Sequence, residues 1–423
     1  MPIHPKTVHI SQFKGINNVL DAESTPPEYL KKADNVNIDK LGGIKKRKGY
    51  TLEDSGLYTS LWSSETTLGM YAVKNGTLLR KYADGYSTII KSGITSDTLS
   101  FEEIDGKIYF SSISTNGIID FDGLRDWGLP PVNMGVTLTQ TVGEMPAGTY
   151  MVGFTTVTSD GRESGLTTTS TITLSSTGGI TLTLPVYTNT NIVYCRVYCS
   201  TTDGNTLYFS KIGTPGETIK ITDSRNLISP LRMFGLYNPP LGHIIKYYRG
   251  RMYVAQDNIL WYSEPYQYEH FKIDSNYIEF PSKIREVMPV EDGIWIGSDK
   301  LYYLSGEDAL TFKRTTKEEV KIVEGTGHKL SGSYVHIDNT PIGYKWLVTS
   351  NLGIFILFNQ GMTINLSAQN INLKAADSGM ATFLKTEGMN QYLSILKTNQ
   401  NPNNSVVGDL VETTIVRNGI IIT

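Results

Sequence analysis

Short apolar runs separated by tight-turn signals recur along this chain. In "EDGIWIGSDKLYYLSGED" (291 to 308) an Asp-Gly pair precedes an apolar run, a second small turn and an aromatic-rich run. Related stretches are "GMYAVKNGTLLRKYADG" (69 to 85), "EEIDGKIYFSSISTNGIIDFDG" (102 to 123) and "YRGRMYVAQDNILWYSEP" (248 to 265). Two more are "GYKWLVTSNLGIFILFNQGMTINLS" (343 to 367) and "FLKTEGMNQYLSILK" (383 to 397). Asn-Gly and Asp-Gly suit two-residue hairpin loops, whose central positions need positive φ. The pattern therefore predicts turns at Asn75-Gly76, Asp84-Gly85, Asp105-Gly106, Asn116-Gly117 and Asp292-Gly293. Each copy is too small to bury its own face. Copies spaced roughly 35 to 50 residues apart fit four-stranded blades around an axis. The expectation is an all-β chain with a β-propeller of roughly five to seven blades, without a WD or kelch signature.

Between the second and third well-marked copies the pattern changes. "AGTYMVGFTTVTSDGRESGLTTTSTITLSSTGGITLTLPV" alternates with period two, is rich in Thr and Val, and carries turn signals at Asp160-Gly161 and Gly178-Gly179. Pro-Pro pairs flank the segment, and its length accommodates six or seven strands, which predicts an inserted β-sandwich. The stretch "TYMVGFTTVTSDGRES" resembles fibronectin type III domains, which implies recognition or spacing rather than chemistry. The first fifty residues fit neither pattern: a short helix is expected after Pro26-Pro27, then a polar strand and a Gly42-Gly43 turn. The expected organisation is an N-terminal arm (1–55), the first part of the propeller (56–128), the sandwich (129–238), the second part of the propeller (239–400) and a C-terminal strand or tail (401–423).

Composition narrows the function classes. A 423-residue chain with 25 tyrosines has ample apolar surface for a core of this size. A formal net charge of −3 disfavours a generic basic nucleic-acid binder. Cys195 and Cys199 fall on one face of a strand about 13 Å apart, too far for a disulfide, and are expected to be buried thiols in a reducing compartment. The N-terminus lacks the pattern of a secretory signal, and no apolar stretch reaches the length of a membrane span. The chain is therefore expected to be made in a cytoplasm, with no membrane span.

Candidate chemistry is sparse. None of His4, His9, His243, His270, His328 and His336 sits in a recognised metal-ligand spacing, and no nucleophile elbow, P-loop or dinucleotide fingerprint is present. Propeller glycosidases use paired carboxylates at the axial end of inner strands, which nominates Asp105, Glu291 and Asp292. Two of these precede Gly, so hairpin-turn roles are favoured. "DFDGLRDW" (120 to 127) loosely resembles a calcium loop but lacks its downstream bidentate Glu. A plain turn is expected there. No catalytic residue, metal or cofactor is expected. The dense basic run Lys45, Lys46, Arg47 and Lys48 is a candidate interface for an adaptor, a neighbouring subunit or DNA phosphates; a solvated arm is the plainer reading. Tyr247, Tyr248, Trp261, Tyr262, Trp295, Tyr302 and Tyr303 lie in strand runs and are expected in the core.

The arm carries a resemblance. "FKGINN" followed by "YLKKADNVNIDKLGGIKKRKGY" is similar to the opening of phage tail proteins, in which F-x-G-G-x-N leads through an alanine-Asx-N turn and a polar strand to G-x-φ-x-x-R-x-G. Phe13, Gly15, Asn17, Ala33, Asn35, Asp39, Gly42, Arg47 and Gly49 fill those places, and Ile16 departs from the second glycine. The chain thus resembles the tail nozzle and hub proteins of short-tailed phages, also called packaged-DNA stabilisation proteins. The resemblance implies a structural virion component, not an enzyme. It implies a homo-oligomeric ring, six copies in the family, below the portal and head-to-tail adaptor, holding a needle, fibres or spikes, with genomic DNA passing without sequence-specific binding. The alternative is a carbohydrate-binding or carbohydrate-processing propeller, distinguished by two carboxylates and an exposed Trp at the axis. A bacterial adhesin is a third reading, and it would ordinarily carry an export signal.

Overall fold

Two turn pairs show why the hairpins close where they do. Asn75 and Gly76 have φ of 50° and 73°, and Asp105 and Gly106 have 50° and 74°. This left-handed pair matches the twist of the strands it joins. Arg249-Gly250 adopts the same conformation without an Asn or Asp to announce it. The computed structural model describes residues 9–33, 36–39, 41–46, 49, 51–64, 69–95, 98–188, 191–225, 227–330, 340, 342–367, 370–371, 373, 376–386, 389–398, 415–417 and 420–422.

Among the described residues the chain is all-β, with two single-turn 3₁₀ segments and no α-helix. Six sheets of a β-propeller follow one another in sequence: blade 1 (58–91), blade 2 (100–125), blade 3 (244–279), blade 4 (286–318), blade 5 (328–365) and blade 6 (376–398 with 415–422). Blades 1, 2, 4 and 5 are four-stranded antiparallel meanders, and blade 3 adds a fifth strand, Tyr277–Glu279. In blade 6 the strand Ile420–Ile422 pairs in parallel with Met389–Thr398, so the C-terminal hairpin completes the sheet. The number is six, inside the expected range of five to seven.

The core lies between blades rather than within them. Along the first three strands of blade 4, Val287, Ile294, Ile296, Tyr302 and Leu304 pack against blade 3. The alternate residues Met288, Val290, Trp295, Leu301 and Tyr303 pack against blade 5. A strand buried on both faces reads as a continuous apolar run, and its period-two alternation selects the neighbour rather than core against solvent. Similar cores join blades 1 and 2, 2 and 3, and 5 and 6. Each fully buried Val, Leu, Ile or Phe contributes about 1.5–3 kcal/mol. The ring is thus held by its junctions.

Seven strands between blades 2 and 3 form the inserted β-sandwich. Leu138–Met145, Gly178–Thr183 and Thr218–Ile221 make one sheet; Ser170–Leu174, Gly148–Thr158, Ile192–Ser200 and Leu207–Gly213 make the other. Three strands facing four are the sheet sizes of a fibronectin-like sandwich. The Tyr150 hydroxyl donates to the Pro146 carbonyl at 2.9 Å, a corner lock of the kind immunoglobulin-like sandwiches use. Cys195 and Cys199 are free thiols buried in its core, and burial pushes them up to about 11 and about 12.

Three local expectations are corrected. Asn116 and Gly117 lie inside the strand Asn116–Asp120, and the turn precedes them. Ser112 sets that turn by accepting from the backbone of Ser114 and Thr115, while Gly117 leaves room for the Phe110 ring, 2.6 Å from where a Cβ would stand. Gly178 and Gly179 likewise belong to a strand, Gly178–Thr183, pressed close to the backbone of residues 141 and 142. After Pro26-Pro27 the chain makes a single turn closed by Tyr29 N to Pro26 O, not a helix.

Candidate functional site

The antiparallel meander fixes two faces of the propeller. The linker leaving a blade lies beside the turn between that blade's second and third strands: after blade 1, Ile94 N donates to Gly76 O at 2.9 Å, and after blade 3, Ile284 N donates to Asp257 O at 2.8 Å. The turns after the first and third strands lie on the opposite face, where Tyr266 N donates to Gly250 O at 2.6 Å. We call these the entry face and the turn face.

On the entry face a cavity of about 610 Å³ opens at the axis, with walls from all six blades. Its polar groups come from the starts of first strands and the linkers before them. Ion pairs stitch blade to blade here: Lys246 with Glu102 at 3.3 Å, Lys283 with Glu324 at 2.8 Å, and Lys321 with Asp377 at 2.6 Å. The Arg285 guanidinium donates to the Asp377 carbonyl at 2.8 Å. His243, half-buried, donates through Nε2 to Ile284 O at 2.7 Å, and desolvation lowers its pKa.

Glu286 is the least ordinary of these groups. It opens the first strand of blade 4, and its side chain reaches the linker into blade 5. There its Oε1 accepts from Gly325 N at 2.8 Å and from Gly327 N at 3.0 Å. Glycine at 327 is what admits it, since a Cβ there would stand 2.7 Å from Glu286 Oε2. Burial pushes this carboxyl up to about 7, with the two glycine N–H groups and Lys246 opposing. A group poised near neutrality in a cavity is a recognised mark of a functional site.

The carboxylates nominated from sequence are elsewhere. Asp105 sits in the first turn of blade 2, and Glu291 and Asp292 form the corresponding loop of blade 4, all on the turn face. Asp292 accepts from Tyr303 OH at 2.6 Å and from Gln360 N at 2.8 Å, and Glu291 accepts from Tyr344 N. Gly293 begins a strand beneath the Tyr303 ring. In the 120 to 127 stretch, Asp120 accepts from Asp122 N and pairs with Arg125, which turns the chain. Among the described residues no group of three or more His, Cys, Asp or Glu could hold a metal ion. No helix among them is long and apolar enough to cross a membrane.

The arm motif lies apart from the axis and folds upon itself. Phe13 N donates to Gly42 O at 3.0 Å, and a Cβ on Gly42, whose φ is +79°, would stand 2.8 Å from Phe13 N. Gly15 O accepts from Leu30 N at 2.9 Å, and Ala33 is buried. Asn17, also buried, accepts through Oδ1 from the backbone of Val19 and Leu20. Asp39 closes the hairpin of Val36–Ile38 and Ile44–Lys46 by accepting from Leu41 N at 2.9 Å and Gly43 N at 2.8 Å. Gly49 has open space around it. Lys45 and Lys46 are exposed on the second hairpin strand; Asn35, Arg47 and Lys48 lie outside the described residues.

Sequence reasoning missed the axial set, namely Glu286 with His243, Lys246, Lys283, Arg285 and Glu324. The available signal was charge at the threshold of an apolar run, as in "SKIREVMPV". A first strand starts at the axis, and only there does such a charge meet the same position of other blades.

No protein-family model matches the chain, and no curated protein matches it in sequence. Solved structures similar to it include a streptogramin B lyase, 12% identical with a TM-score of 0.31, over 79% of this chain and 89% of that one. A catalytically inactive virginiamycin B lyase from Staphylococcus aureus with quinupristin is 11% identical with a TM-score of 0.31, over 82% and 94%. The Neurospora crassa Pan2 WD40 domain is 8% identical with a TM-score of 0.32, over 77% and 85%. The lyase activity in two of these names belongs to those proteins. Likenesses at these scores carry no argument here, and the propeller assignment rests on the sheets and inter-blade cores described above.

Proposed function

We propose that this chain is a structural, non-enzymatic subunit of a short phage tail, forming the nozzle or hub ring below the portal and adaptor. In this reading six copies enclose the DNA exit channel and carry a needle, fibres or spikes distally. The protein is made in the host cytoplasm and resides in the virion. The observation that carries the reading is the arm. Of its motif residues, Phe13, Gly15, Asp39 and Gly42 close the arm upon itself, and the hairpin presents Leu41, Ile44, Lys45 and Lys46 exposed. A self-supported arm with an apolar and basic outer strand fits docking to another subunit. The turn face adds support, since Tyr86, Phe121, Tyr266 and Leu310 stand exposed after the third strand of blades 1 to 4. Repeated exposed apolar residues mark contact surfaces, and heterologous contacts that close make rings.

Electron microscopy of the protein assembled with portal and adaptor, without imposed symmetry, tests the proposal. A ring with a lumen of at least about 20 Å, wide enough for a hydrated duplex, is the expected result. Single propellers bound to neither component would overturn it. Replacing Lys45, Lys46, Arg47 and Lys48 by Ser is expected to leave the monomer folded and to reduce incorporation into particles. Normal incorporation would remove the basic run from the interface.

A further inference from the structure

The axial cavity has a composition that narrows its ligand. Three cationic side chains in its wall, Lys246, Lys283 and Arg285, face three carboxylates, Asp257, Glu286 and Glu324. Lys246, Lys283 and Glu324 are already in ion pairs, with Glu102 and with each other, and Arg285 donates to the Asp377 carbonyl. An anionic ligand would have to displace one of these partners, at the cost of leaving a partly buried charge unmatched. A hydroxyl group would not. It donates to a carboxylate lone pair or accepts from a spare ammonium or guanidinium N–H, and does either without net charge.

Part of the remaining wall is apolar. Trp62 stacks on Phe101 with centroids 5.5 Å apart and planes at 18°, and Leu61 and Met380 stand half-exposed beside them. Thr59 Oγ1, also in this wall, is buried with no hydrogen-bond partner among the described residues. That atom is unsatisfied as it stands, and native interiors seldom leave one so. A volume of about 610 Å³ falls in the ordinary range of small-molecule sites.

From these features we infer that the axial cavity binds a neutral polyhydroxylated ligand, a mono- or disaccharide. Paired acids and bases meet its hydroxyls, and the Trp62–Phe101 wall meets its C–H faces. The inference does not rest on the tail-ring reading. A ring that binds no sugar and a sugar-binding propeller that forms no ring are separately observable.

Saturation-transfer NMR on the full chain, with glucose, galactose, N-acetylglucosamine and maltose as neutral probes and succinate and lysine as charged ones, is the test. Signal from at least one neutral probe and from neither charged one is expected. Met380→Trp changes an exposed side chain at the cavity wall and fills the opening, so it is expected to abolish the signal. Glu286→Gln keeps an oxygen for the two glycine N–H groups, and is expected to weaken binding about tenfold, the loss of one charge-assisted hydrogen bond. Silence from all four saccharides, binding of succinate or lysine instead, or saccharide binding unchanged in both folded variants would each overturn the assignment.

Discussion

Where the sandwich meets blades 2 and 3, buried groups interlock. Trp127 is 1% exposed and donates through Nε1 to Tyr268 O at 2.9 Å. Arg162 donates to Asp126 O at 2.7 Å and faces Glu269 at 3.6 Å, and His270 donates to Glu163 O at 2.9 Å. Where the arm meets the body at the linker into blade 6, Asn18 N donates to Asn370 O at 3.0 Å and Asn17 Nδ2 donates to Asn370 Oδ1 at 3.4 Å. The two junctions teach different things about use. A junction that combines a buried Trp with several polar contacts resists local opening, so the sandwich is a bracket fixed to the propeller. The arm's contact through Asn17 and Asn18 to Asn370 involves fewer groups and opens locally at lower cost, and in the proposed assembly it is the contact that would exchange partners.

The largest effect is expected from Trp127→Ala. Removing a fully buried Trp costs about 3–5 kcal/mol, read by denaturant unfolding, and should expose the 126–137 linker to protease. A variant as stable and as protease-resistant as the parent would end the bracket description. Gly165→Ala comes next. A Cβ there would stand 1.8 Å from Leu236 O, a backbone atom that cannot step aside alone, and a loss of about 1–3 kcal/mol follows from such overpacking.

Glu286 supplies a third kind of junction, one that depends on pH. Unfolded, its carboxyl ionises at the ordinary glutamate value of 4.5; folded, burial holds it at about 7. The native state keeps the extra proton between those values, so stability falls as pH rises through that window and the loss is complete above it. Glu286→Gln should flatten this part of the curve in unfolding measured from about pH 5 to about pH 8. An unchanged slope would locate the dependence elsewhere. The smallest effect is Asn370→Ala, about 1 kcal/mol or less. Its signature is faster amide exchange confined to residues 10–30, and uniform acceleration would mean the arm is not a separate unit.

How far the chain could be read in advance varies by element. The apolar runs of blade 4 identified themselves as strands because both faces are buried, and Asn75-Gly76 and Asp105-Gly106 marked their loops because a left-handed pair favours those residues. Asn116-Gly117 and Gly178-Gly179 misled for the opposite reason. A glycine required by a nearby ring or backbone is identical in sequence to one required by a turn. Arg249-Gly250 turned without the usual signal because the surrounding strands impose it.

The sequence by itself determined what depends on near neighbours: the strands, most hairpin loops, the change of pattern at the sandwich, and the self-closing residues of the arm from Phe13 to Gly42. The tertiary structure decided what depends on closing the ring. Alternate residues of one strand face different blades only once blades stand side by side. Lys246, Glu286 and Glu324 lie far apart along the chain and become one wall only because each lies on or just before the first strand of its blade, and the first strands line the axis. The pKa of Glu286 follows from that placement, since a carboxylate's desolvation is set by what surrounds it in space.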